Sequence, residues 1–154
     1  MREAPYDQDI LAWSDQQAEL LRRLAKGERV NGIDWAHVVE EIEDVGLSEL
    51  NAVRSLLRQM MVHLLKCAFW AEHAAVRHWR EEVVAFQADA EQRFAPSMRQ
   101  RIDLDRLFAV AVRQVAASDL GDAGRNMPDA CPWSLDQLLR DGVGPLVATM
   151  GETP

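Results

Sequence analysis

Apolar residues recur at alternating three- and four-residue steps through the middle of the chain, at Leu50, Val53, Leu57, Met60, Leu64 and Cys67. That spacing keeps one face of an α-helix apolar and predicts a packed seam. Leu56, Met61, Val62, Leu65 and Phe69 widen the seam until the helix is apolar on most sides, which predicts a central position. Narrower stripes flank it: Ile10, Trp13, Ala18, Leu20, Leu21 and Leu24 within residues 7–26, and Val76, Trp79, Val83, Phe86 and Ala90 within residues 75–94. Polar and small residues mark the ends. Gly27 closes the first helix, Asn31 and Gly32 make a turn, and Asp34 caps a second helix, WAHVVEEIEDV, which ends or kinks at Gly46. Ser48 then caps the seam helix, which runs to Phe69. A fifth helix over residues 97–118 opens with Ser97 and Gln100 at capping-box spacing and is interrupted around Asp103. Residues 119–132, with two Gly and two Pro, form a loop, and Ser134 with Gln137 opens a short helix that ends at Gly142.

Residues 47–120 contain no glycine and only Pro96 as a breaker, whereas strands need turn residues about every 8–12 positions. The expected fold class is therefore all-α: one helical-bundle domain over residues 1–154, with about five main helices plus a short C-terminal one, and a loosely held tail at 143–154. Leu57, Met60, Leu64, Val83 and Phe86 are the expected core.

Composition narrows the function classes. A chain of 154 residues buries roughly 70% of its unfolded surface and needs neither disulfides nor a structural metal to build a core. Cys67 and Cys131 lack CxxC spacing and read as free, buried thiols of a reducing compartment. The opening MREAPYDQD is acidic and unlike a signal peptide, and no apolar run approaches the roughly 18 residues that cross a bilayer, so a cytoplasmic location away from membranes is expected. A net charge of −8 with no Lys/Arg-rich run argues against nucleic-acid binding.

The charges are segregated. Residues 30–53 hold six acidic side chains and no Lys or Arg, while residues 54–80 carry Arg54, Arg58, Lys66, Arg77 and Arg80 against Glu72 alone. His37, Glu40, Glu41 and Asp44 share one helical face, and Gln59, His63, Lys66 and Trp70 form the polar stripe of the seam helix. A lysine on an apolar helix needs a carboxylate partner, so Glu40, Glu41, Asp44, His63 and Lys66, with Trp79, are the candidate polar cluster, either a structural network or a small pocket. No metal or cofactor is expected: Glu-x-x-His is absent, His73 and His78 are five residues apart and do not align on a straight helix, and there is no glycine-rich phosphate loop.

Several segments, YDQDILAW, WAHVVEEIEDVG, HLLK, RHWR, APS and CPWSLDQLL, resemble in order the bacterial domain-of-unknown-function family numbered twenty-nine. The pattern falls on Asp7, Trp13, Asp34, Trp35, Glu40, Glu41, Glu43, His63, Lys66, Trp79, Pro96, Ser97, Cys131 and Pro132, and departs from it at His78 and in the CAFW that follows Lys66. The resemblance implies a small helical protein without an assigned activity. With no complete catalytic constellation, a non-catalytic interaction module is favoured, working as a homodimer or on a protein partner through exposed apolar residues among Trp13, Leu21, Trp35 and Trp133. The alternative is a small-ligand-binding or hydrolytic bundle built on the Glu/His/Lys cluster.

Overall fold

The structure, a computed structural model, describes residues 5–151. Among them there is no strand: the elements are α1 (Ile10–Ala25), α2 (Trp35–Phe69), α3 (Val76–Arg93), a 3-10 turn (Pro96–Arg101), α4 (Leu104–Ala116), α5 (Leu135–Arg140) and α6 (Val143–Gly151). The all-α expectation holds. The chain packs as two compact units, residues 1–48 and 49–154, and α2 belongs to both.

In the first unit Asp9 caps α1 by accepting from the Ala12 amide at 3.0 Å. Gly27, at φ +85°, occupies the left-handed region that ends the helix. Trp13 and Gln17 are the buried residues of α1. The Gln17 amide organises the following turn: its Nε2 donates to the Gly32 carbonyl at 3.3 Å and its Oε1 accepts from the Asp34 backbone N–H at 2.8 Å. A buried polar side chain is tolerated here because its amide is paired at both ends.

The expected break at Gly46 does not occur. One helix of 35 residues runs through Gly46 and Ser48. Gly46 is absent from the glycines with positive φ, which are Gly27, Gly32, Gly121 and Gly124. A single helical glycine costs only about 1 kcal/mol, too little to end a helix that runs on into the buried seam from Leu50 onward.

The second unit is built on the far half of α2. Val53, Leu57, Met60, Leu64 and Leu65 are fully buried and meet Val83 of α3, Phe108 and Ala111 of α4, Leu138 of α5 and Leu146 of α6. Phe86 packs on this core half-buried. Asp103 caps α4 by accepting from the Arg106 amide at 3.1 Å, and the Ser134–Gln137 capping box opens α5 as expected. Ser97 makes no cap, because Pro96 directs a 3-10 turn there instead. Residues 143–151 are helical rather than a loose tail: Leu146 and Met150 enter the core, and the buried Trp133 donates from Nε1 to the Leu146 carbonyl at 2.9 Å. Residues 152–154 lie outside the described residues.

Candidate functional site

The continuity of α2 separates the candidate cluster. Glu40, Glu41 and Asp44 precede His63 and Lys66 on one helix, so at 1.5 Å per residue the two groups are about 28 Å apart at their closest along the axis. The expectation that Lys66 or His63 meets a carboxylate of residues 40–44 fails for that reason. Among the described residues neither side chain forms an ion pair.

Each half of the cluster has its own arrangement. His63 Nδ1 lies 2.8 Å from the Gln59 carbonyl, which fixes this nitrogen as the donor, and its ring meets Phe86 edge-on at 5.4 Å. Burial pushes its pKa below the usual imidazole range, against the backbone hydrogen bond, so the ring is neutral at pH 7. Lys66 spans the face of the buried Trp79, with Nζ 5.7 Å from the ring centroid, and His73 stacks on the same indole at 4.8 Å. Cation–π contact takes the place of the expected carboxylate. Neither cysteine is poised as a nucleophile: burial raises the pKa of Cys67, and raises that of Cys131 to about 11. Among the described residues no three His, Cys, Asp or Glu side chains converge as metal ligands. No described helix is long and apolar enough to cross a membrane.

The second unit also holds a cleft of about 720 Å³ beside the 119–132 loop, lined by Phe69, Val112, Arg125, Met127 and Met150 among others. Arg125 is committed structurally. Its guanidinium sits 4.2 Å above the Phe69 ring and donates to the Ala68 and Met150 carbonyls, each at 3.4 Å, at the C-terminal ends of α2 and α6.

In the first unit, Asp34 caps α2 and ties it to α1. Its carboxylate accepts from the Trp13 indole at 3.1 Å, lies 2.6 Å from His37 Nδ1, and faces the His37 amide at 3.4 Å. The His37 hydrogen bond holds the Asp34 carboxyl below its ordinary range and lifts the His37 imidazole above its own. Tyr6 stacks on His37 at 4.0 Å, meets Trp13 edge-on at 4.9 Å and donates its hydroxyl to Glu41. That hydrogen bond, with desolvation and the Glu41 charge, pushes the phenol up to about 12. One face of the N-terminal half of α2 is thus fastened within its unit.

Another face is bare. Trp35, Val39, Ile42 and Val45 follow one another up successive turns with 55%, 51%, 68% and 69% of their surface exposed. Their spacing places them along one side of the helix, with Gly46 in line and the exposed Glu43 at the edge, while Glu40 and Asp44 lie on the opposite side with His37. Ile10 and Leu11 in the first turn of α1 are exposed as well. Of the four apolar residues expected at the surface only Trp35 is exposed: Trp13 and Trp133 are buried with their indole N–H groups paired, and Leu21 is half-buried. The apolar 3-4 spacing through the acidic segment is the signal in the sequence for Val39, Ile42 and Val45, and the charges interleaved with it mask it.

No curated protein matches the chain. Among solved structures it is similar to an α-helical protein of unknown function from Rhodospirillum rubrum, at 29% sequence identity and a TM-score of 0.72, over 99% of this chain and 100% of that one. The family model described as "Domain of unknown function DUF29" matches residues 5–143, and the chain belongs to that family.

Proposed function

We propose that this protein is a non-catalytic interaction module that binds another protein surface through the N-terminal half of α2. One observation carries the reading: four large apolar side chains, Trp35, Val39, Ile42 and Val45, stand more than half exposed on one side of a helix whose other side is fastened by the Tyr6–His37–Asp34–Trp13 network. Scattered exposed apolar residues are ordinary, but a contiguous stripe on a rigid helix marks a contact surface. A Glu/His/Lys active site is not supported, since its members lie on distant turns of one helix.

The test is site-directed photocross-linking in the cell of origin. A benzophenone side chain at position 42 should give a discrete cross-linked species, and the same group at the exposed position 91 should not. Equal or no cross-linking at the two positions would remove the reading.

A further inference from the structure

The seam between α2 and α4, wholly within the second unit, gathers arginines that no carboxylate neutralises. Arg54 and Arg58 stand one turn apart on α2, and Arg106 and Arg113 two turns apart on α4. None of the four forms an ion pair among the described residues, although the chain has 25 acidic residues for 17 Lys and Arg. A shortage of carboxylates is therefore not the reason. Neutral acceptors hold the two guanidiniums of α2 instead: Arg54 donates from one terminal nitrogen to Asn51 Oδ1 at 3.1 Å and from the other to the Arg101 carbonyl, and Arg58 donates to Gln114 Oε1 at 2.6 Å. A guanidinium has five N–H donors, so each is oriented with donors to spare and with its charge intact.

Between the helices lies a groove of about 330 Å³, lined by Arg54, Asp103, Arg106, Leu107 and Val110. Leu107 and Val110, both half-buried, make part of its wall apolar, and each helix contributes an arginine. Asp103 is the one carboxylate among these residues, and its Oδ1 is engaged at 3.1 Å by the Arg106 backbone amide as the cap of α4. Two arginines against one carboxylate, with Arg58 and Arg113 further along the seam, make the groove a net cation in a chain whose overall charge is −8.

We propose that this groove binds a phosphate monoester with a small apolar body: the phosphate is held by Arg54 and Arg106, and the body lies on Leu107 and Val110. The planar fork of arginine meets phosphate oxygens two at a time, and a dianionic head gains more from a net cationic groove than a carboxylate does. The size is at the small end of ligand clefts, which run from about 300 to 1,000 Å³. The groove is separate from the apolar stripe of α2, so different measurements decide the two readings.

The experiment titrates the full chain with phenyl phosphate, inorganic phosphate, phenol and benzoate in a calorimeter at low salt. Phenyl phosphate should bind saturably and at least about tenfold tighter than each of the other three, and should weaken as salt is raised to 1 M, where the Debye length is about 3 Å. R106Q removes an exposed guanidinium that holds nothing else in place, and it should weaken phenyl phosphate at least about tenfold with Tm unchanged. R29Q, the same change of charge at an exposed position in the first unit, should leave binding as it was. Amide shifts in the NMR spectrum should centre on Arg106, Leu107 and Val110. A capped phosphotyrosine tripeptide separates the sources of the ester: tighter binding than phenyl phosphate assigns it to a phosphorylated chain, weaker binding to a free small molecule. No saturable binding of phenyl phosphate, or equal weakening by R29Q and R106Q, overturns the site. Benzoate or inorganic phosphate binding as tightly as phenyl phosphate overturns the ligand assignment. None of these results bears on cross-linking at position 42.

Discussion

Replacing Gly46 by alanine should stabilise the protein, and the sign of that effect tests the architecture. A glycine that ends a helix holds a left-handed backbone, where a Cβ costs roughly 1–2 kcal/mol. Gly46 is inside α2, is not among the positive-φ glycines, and an added Cβ there would meet nothing within 4 Å. The substitution thus removes backbone freedom from the unfolded chain and adds no strain, which is worth about 0.8–1 kcal/mol. For a chain of 154 residues a gain of that size raises Tm by roughly 2–4 °C. Gly27 is the control: it also has open space around a Cβ, but its φ is +85°, so the same substitution there should lower Tm. Paired thermal and urea unfolding followed by circular dichroism at 222 nm measure both. A loss of stability in G46A, comparable to that in G27A, would mean that the helix breaks at Gly46 and would return residues 40–44 to reach of His63 and Lys66.

Tyr6 is the only tyrosine of the chain, so absorbance at 295 nm titrates it alone: its midpoint should lie at about 12, and E41Q should move it towards 10. Proton NMR should find His37 titrating above the free-imidazole value and His63 below it. The His37–Asp34 contact accordingly adds stability that is complete below the unfolded-state histidine pKa and is lost as pH rises through the folded one; the neutral, half-buried His63 has the opposite dependence, losing stability as pH falls through its depressed folded pKa. L57A, at a fully buried seam position, should cost about 2–5 kcal/mol in urea unfolding, whereas I42S, at an exposed one, should stay within about 0.5 kcal/mol of the parent.

The seam was legible because its spacing coincides with full burial. Leu50, Val53, Leu57, Met60, Leu64 and Cys67 are each at most 2% exposed, and a helix surrounded by neighbours has little freedom to present another face. Caps with a side-chain oxygen and a nearby amide, at Asp34 and Ser134, were legible for the same local reason. Gly46 was misread because identical residues serve as helix terminators and as tolerated interior positions, and φ decides which. Lys66 was misread because a carboxylate is one partner for an ammonium on a largely apolar helix and an indole face is another. The burial of Trp13 and Trp133 depended on acceptors 21 and 13 residues away in the chain, contacts that no local spacing encodes.

The uninterrupted backbone ladder of α2 has a consequence for cutting the molecule. The boundary between its two compact units falls at residues 48 and 49, inside the helix rather than in a linker. A chain severed there would expose four carbonyls on one side and four amides on the other without their helical partners, and a protease that needs extended backbone finds none at that point. Proteolytic nicking should therefore spare the boundary and fall in the exposed stretch around Gly121 and Gly124. Shuffling at the level of genes meets the same obstacle: either unit alone inherits half of a helix, so the two travel as one inheritable piece.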